Sequence, residues 1–243
     1  MKLQTLALRH GDDTRCAYFS LAEETELQAS EAQPDALLSA SELLRYGALR
    51  FARKRQGFLL GRLAAKRALG ALLAETDLRN IEIQSGVFGQ PLVHHPRAAG
   101  VEVTLSHSHG LGVALAYPSV FPMGVDLETV AADASATILG ELQISDAEKA
   151  WLAGQAGQAL GDAAACGVLW TAREALGKSM KTGLNSPLGI LALGHLEPVG
   201  ATAFVGQYVN FPQSRCLSQA FDARVLSIAM PMAVEMAPWP LLR

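Results

Sequence analysis

The chain of 243 residues is poor in charge: only 18% of it is Asp, Glu, Lys or Arg, and 20 basic against 23 acidic residues leave a formal net charge of −3. So weak a balance offers no electrostatic footprint for nucleic acid. Aromatic residues are also scarce at 6%. The 40 alanines favour helix and a small-residue core over aromatic-rich β packing. Cysteine is rarer still. Cys16, Cys166 and Cys216 are odd in number and widely spaced, which excludes a disulfide framework and a C-x-x-C site and points to a reducing cytoplasm. Long hydrophobic runs are missing. Met1 to Arg9 is too short an apolar start for a signal peptide. The longest stretch free of Lys, Arg, Asp and Glu, Val103 to Val125, contains His107, His109, Pro118 and Pro122 and alternates like strands, which excludes a membrane span. What the chain has is apolar residues, half of the total. That excludes intrinsic disorder and supports a sizeable core in one large domain or two small ones.

The near-neutral average hides an asymmetry. Between Glu42 and Glu75 stand eight cations (Arg45, Arg50, Arg53, Lys54, Arg55, Arg62, Lys66, Arg67) and no acid. On a helix, Arg55, Arg62 and Lys66 fall within an arc of about 40°. A solvated helix face is the plain reading, but such faces mix signs, so the block favours an anionic partner.

The periodicity predicts a helix from Ser41, as cap, to about Glu75, interrupted at Gly57. A short strand over Ile81–Gln84 and a turn at Gly86–Pro91 follow, then strands over Val101–Ser106 and Gly112–Tyr117. Pro118 to Pro122 breaks the pattern, and Met123 to Glu128 restarts it as a strand. A helix is expected after a Ser145 cap, and another from Asp162 to Met180 with a stop near Gly183. Strands are expected at Ile190–Leu193, Thr202–Val209 and Val225–Met230, with an irregular proline-rich tail beyond. Helix followed by strands, twice, implies an α+β fold of two halves, 1–120 and 121–243. No residue-level repeat is visible.

Four constellations can carry chemistry. In Gly124-Val125-Asp126-Leu127-Glu128 a strand places both carboxylates on one face and Val125 and Leu127 on the other. Crowded oxygen ligands suit Mg²⁺; a solvated strand end is equally compatible with the pentapeptide alone. Trp170, Glu174 and Lys178 recur every fourth residue along one helix face. Taken alone, that spacing equally describes a core tryptophan and an ordinary Glu–Lys pair. Gly177-Lys178-Ser179 imitates the end of a P-loop, but the glycine required five residues earlier is Ala172. In Leu105-Ser106-His107-Ser108-His109-Gly110, His107 and His109 suit a metal, and Ser106 with His107 suits a phosphate equally well. The basic block is the fourth.

In this order these segments resemble the 4′-phosphopantetheinyl transferases of the two-lobed, single-chain type that activate surfactin and enterobactin synthetases. The resemblance runs from about Ser41 to Leu188. It is most specific in Gly124–Glu128 followed by Trp170-x-x-Arg173-Glu174-x-x-x-Lys178, and continues through Lys181-Thr182-Gly183-Leu184-Asn185-Ser186-Pro187-Leu188. Upstream, Phe51-Ala52-Arg53, Phe58-Leu59-Leu60-Gly61-Arg62, Phe88-Gly89-Gln90-Pro91 and Leu105-Ser106-His107-Ser108 resemble the earlier motifs.

The resemblance implies a pseudo-twofold pair of α/β lobes with the active site in the cleft between them. The implied reaction moves the phosphopantetheine arm of coenzyme A onto a serine of an apo acyl, peptidyl or aryl carrier protein, releasing adenosine 3′,5′-bisphosphate. Asp126, Glu128 and Glu174 are then the ligands of Mg²⁺ (or Mn²⁺). Glu174 is the base, directly or through water, and Lys178 the group that meets the departing phosphate. Arg45, Gln90, Pro91, Ser106, His107, Ser108 and Lys178 become coenzyme A contacts. A cytoplasmic monomer with no nucleic-acid partner and no membrane span is expected. Two positions depart from the pattern: Gln90 replaces a lysine, and Arg173 replaces the lysine before the catalytic glutamate, which retains charge but not shape. Both bear on coenzyme A affinity more than on chemistry. The alternatives are a non-catalytic relative that binds coenzyme A or a carrier protein, and a Mg²⁺-dependent phosphodiesterase.

Overall fold

A computed structural model describes residues 2–130, 143–183 and 187–239. Leu184, Asn185 and Ser186, part of the segment resembling the transferases, lie outside the described residues. The chain groups into two compact units: one holds the residues up to Phe121 together with a segment returning from Val234, the other Pro122–Ala233. Both mix helix and antiparallel sheet. Among the described residues, no helix is long and apolar enough to cross a membrane.

The first unit begins with strands β1 (Leu3–His10) and β2 (Asp13–Glu23), then helices α1 (Glu24–Ala32), α2 (Ala40–Ala48) and α3 (Ala52–Leu73). The hairpin of β3 (Glu82–Ser85) and β4 (Pro91–His94) leads to β5 (Val101–Ser108) and β6 (Leu111–Pro118). The second unit runs from β7 (Gly124–Thr129) through helices α4 (Asp146–Ala153), α5 (Gln155–Leu160) and α6 (Asp162–Ser179). Strands β8 (Leu193–Pro198), β9 (Ala203–Tyr208), β10 (Ser214–Phe221) and β11 (Arg224–Pro231) complete it, and β12 (Glu235–Ala237) follows. The sheets run β12-β1-β2-β6-β5 and β7-β11-β10-β9-β8.

Several expectations need correction. The helix expected from Ser41 to Glu75 is two helices, broken at Leu49–Phe51, and Ser39 rather than Ser41 caps the first by accepting from the Glu42 N–H at 3.4 Å. Gly57 does not interrupt α3. Leu188–Leu191 is a 3₁₀ turn, so the strand expected from Ile190 begins only at Leu193. The tail is not irregular throughout: β12 pairs antiparallel with β1, Leu8 opposite Met236. It thereby covers an edge that would otherwise present unpaired backbone groups.

The two units share a construction. In each, a short helix opens on a Ser-x-x-Glu capping box (Ser39/Glu42 and Ser145/Glu148), where serine and glutamate satisfy each other's backbone N–H groups. In each, that glutamate is buried and reaches past its own helix. Glu42 meets Lys66 Nζ at 2.5 Å and Arg62 Nε at 2.9 Å, and accepts the Ile83 N–H at 3.2 Å. Glu148 meets Arg173 through both carboxylate oxygens at 2.6 and 2.7 Å and accepts the Leu193 N–H at 3.0 Å.

The basic partners sit in matching words of α3 and α6: Ala65-Lys66-Arg67-Ala68-Leu69-Gly70 and Ala172-Arg173-Glu174-Ala175-Leu176-Gly177. The final glycines match in role. A Cβ on Gly70 would sit 2.8 Å from the Glu75 carbonyl oxygen, and one on Gly177 would sit 2.5 Å from that of Gly183. A residue-level repeat is therefore present, carried by polar residues that read separately look like ordinary caps and surface charges.

Arg173 and Glu148 are fully buried, so removing one partner strands a charge in the core. Glu148→Ala is expected to cost about 3–5 kcal/mol of unfolding free energy, whereas Glu148→Leu combined with Arg173→Met costs far less. Urea denaturation of the three proteins checks this; a single mutant as stable as the parent would show that the pair does not hold the unit.

Candidate active site

In the second unit the site is built where β7 meets α6. Val125 and Leu127 are fully buried. Alternation therefore sends Asp126 and Glu128 to the same face as Gly124. That face meets α6, because a Cβ on Gly124 would collide with the Ala175 carbonyl oxygen. The glycine lets strand and helix backbones touch. Asp126 is buried at 2% exposure, and its Oδ1 accepts from Lys178 Nζ at 2.6 Å.

Glu174, one turn before Lys178, is half-buried. Its carboxyl is pushed up from 4.5 to about 7, chiefly by burial and then by the charge of Asp126; Lys178 opposes the shift, and Glu128 adds to it. Asp126, Glu128, Glu174 and Lys178 thus form one electrostatic cluster. Arg173 turns the other way, into the core, where it donates to Glu148 and to the Leu188 carbonyl. Its charge neutralises a buried carboxylate instead of lying open to an anion.

The first-unit candidates lie on three elements. Arg45, exposed in the last turn of α2, donates to Ser85 Oγ, which stands opposite Pro91 in the β3–β4 ladder. The Gln90 side chain folds back into its own turn and accepts the Phe88 N–H at 2.9 Å, so this residue ties the loop. On β5, Leu105 and His107 lie against α3, at Gly61 and Gly57. Ser106 and Ser108 are buried and by alternation face the other side of the sheet. Ser106 and His107 therefore do not share a face, which alters the pairing expected of them at one phosphate. His109 sits in the β5–β6 turn at φ 38° and lies 3.4 Å from an Arg53 nitrogen.

The basic block also needs revision. Lys66 is fully buried, donating to Glu42 and to the carbonyls of Leu37 and Leu78, and Arg62 is buried between Glu42 and the Ile83 carbonyl. Burial pulls the Lys66 ammonium below its ordinary range against the pull of Glu42. Arg67 pairs with Glu26 at 2.6 Å. Arg45, Arg50, Arg53, Lys54 and Arg55 remain exposed. Five cations, not eight, are available to an anion.

Residues 122–228 match the 4′-phosphopantetheinyl transferase superfamily. Similar solved structures include a holo-(acyl-carrier-protein) synthase from Bacillus anthracis in complex with CoA (3′,5′-ADP), 18% identical over 48% of this chain and 96% of that one, with a TM-score of 0.36. The holo-[acyl-carrier-protein] synthase of Neisseria meningitidis is 18% identical over 40% and 92%, TM-score 0.35. That of Helicobacter pylori, in complex with coenzyme A, is 14% identical over 41% and 96%, TM-score 0.34. At this distance the likenesses transfer no residue roles. No curated protein matches the sequence.

A raised carboxyl makes stability depend on pH in a definite direction. The folded protein holds the Glu174 proton up to about 7 while the unfolded chain releases it near 4.5. The stabilising contribution is complete below 4.5 and is lost as pH rises through about 7. Metal-free protein should therefore lose stability between pH 5 and pH 8, and Glu174→Gln should lose less; chemical denaturation of both at the two pH values measures the difference. Equal slopes would place Glu174 outside the carboxylate cluster.

Proposed function

We propose that this chain transfers the 4′-phosphopantetheine arm of coenzyme A to a serine of an apo acyl, peptidyl or aryl carrier protein. The observation that carries the reading is the cluster of Asp126, Glu128, Glu174 and Lys178 inside the stretch that matches the superfamily. Three carboxylates with one ammonium suit phosphoryl chemistry, in which charge must be neutralised on both sides of the phosphorus.

The donor set fits Mg²⁺: it is oxygen-only, and the upward push on Glu174 reflects carboxylate charge that a cation would relieve. Among the described residues no three ligand-type side chains are gathered closely enough to hold a metal as they stand. Asp126 is held by Lys178 instead. Asp126, Glu128 and Glu174 would be the ligands, and the bound ion would supply charge stabilisation to the diphosphate.

The remaining chemistry belongs to the chain. The carrier serine Oγ attacks the β-phosphorus that bears the pantetheine arm. Its proton passes to Glu174, directly or through a water. The bond from the β-phosphorus to the bridging oxygen breaks, and adenosine 3′,5′-bisphosphate departs with the electron pair. Lys178 neutralises or protonates that leaving phosphate. Arg45, Gln90, Pro91, Ser106, His107 and Ser108 are proposed as coenzyme A contacts. Arg45 and His107 are exposed enough to meet a ligand directly, whereas Gln90 acts by shaping its loop. A cytoplasmic, monomeric enzyme belongs to the same reading; its three cysteines are free.

The test is incubation with coenzyme A, Mg²⁺ and several apo carrier proteins while carrier mass is followed. Gain of the phosphopantetheine arm is expected. Asp126→Ala and Glu174→Gln should lower the rate by about 10²-fold or more with the fold retained. Coenzyme A binding with no transfer to any carrier would favour a non-catalytic relative. Cleavage of coenzyme A without a carrier would favour a phosphodiesterase.

A further inference from the structure

Helix α3 carries glycine where a helix gains nothing from it. Gly57 and Gly61 are one turn apart in its interior, both buried. Each lowers the helix propensity of its turn relative to alanine. A would-be Cβ on Gly61 lies 3.1 Å from Leu105 Cδ1, a tight contact that a small shift of the leucine relieves, and 3.5 Å from His107 Cδ2. Gly57 is different. The three atoms nearest its would-be Cβ all belong to the His107 imidazole: Cε1 at 2.6 Å, Nδ1 at 2.8 Å and Nε2 at 3.1 Å. Opposite His107 in the β5–β6 ladder stands Gly112, whose would-be Cβ lies 2.7 Å from the Leu60 carbonyl oxygen, so the strand pair here is pressed onto α3. The imidazole has been given the space of a missing methyl group, on a helix turn that also presents Arg53 and Lys54 to solvent.

We propose that Gly57 is a positioning residue: it seats the His107 ring flat on α3 and fixes the direction in which the ring meets a phosphate of coenzyme A. The proposal rests on the reading of His107 as a coenzyme A contact. The three atoms nearest a Cβ at position 57 belong to the far end of one side chain, so alanine displaces the ring without unfolding the helix. Helix propensity and ligand binding then move in opposite directions, which separates this role from plain packing. A merely tolerated glycine would yield a more stable protein with unchanged affinity when replaced by alanine.

The experiment compares wild type, Gly57→Ala, His107→Ala and the double variant. Thermal unfolding reports the fold, isothermal titration the coenzyme A affinity, and the transfer assay KM and kcat. Ligand-free NMR of the histidine side chains follows the ring. Expected for Gly57→Ala are a melting temperature at or above wild type and shifted His107 ring resonances. Coenzyme A dissociation constant and KM should rise about tenfold, the scale of one hydrogen bond to a charged group, with kcat little changed. The double variant should bind no worse than His107→Ala alone.

If His107→Ala weakens binding and Gly57→Ala does not, the proposal is overturned while the reading of the site stands. Unshifted ring resonances in Gly57→Ala overturn it whether or not coenzyme A binds. If wild type does not bind coenzyme A, the reading of the site falls, and the ligand role proposed for Gly57 falls with it.

Discussion

A buried glutamate at the third position of a short helix holds each unit of this protein together. Glu42 and Glu148 cap their own helices, neutralise a buried cation on the long helix, and accept a backbone N–H from a segment about 40 residues further on. One carboxylate thus fixes three pieces of chain at once. The arrangement is tolerable in a low-dielectric interior only because the charges are closely matched and the carboxylate accepts further hydrogen bonds. It helps to fix which faces of the long helices look outward. Arg173 is drawn to Glu148 at its back, and its neighbour Glu174 is left turned toward β7.

The two units then diverge at one position. Where α6 has Glu174, α3 has Arg67, which donates to Glu26 and to the Leu21 carbonyl. The same frame therefore carries opposite charge at corresponding points. In the second unit the acidic residue joins Asp126 and Glu128 and becomes hard to ionise. In the first unit the arginine is consumed in a structural pair. The raised carboxyl lies in one of the two units, and the exposed run of cations from Arg45 to Arg55 in the other.

Much of the candidate site was legible in the sequence because its geometry is local. Alternation over five residues suffices to pair Asp126 with Glu128 and to bury Val125 and Leu127, and a four-residue interval suffices to align Glu174 with Lys178. What escaped is held by contacts distant in sequence. The stretch between Glu42 and Glu75 contains no acid, yet Glu42 at its edge neutralises Arg62 and Lys66 inside it, while Glu75 binds His95. Counting charges by sign could not show which of them were already partnered. The strand β12 left no signal at all: three residues beside a proline-rich end pair with β1 near the opposite end of the chain. The repeat was hidden because its invariant parts are capping and burial roles, and only a few letters coincide.

Gly124 has a further consequence. Because β7 and α6 touch backbone to backbone there, the separation between Asp126 and Glu174 is set by the thickness of two main chains. Side-chain rotamers adjust that distance but do not define it. The carboxylates are mounted like the two jaws of a gauge closed to its stop, and the stop is a hydrogen atom. Any larger group at position 124 would open the jaws without touching a single acid.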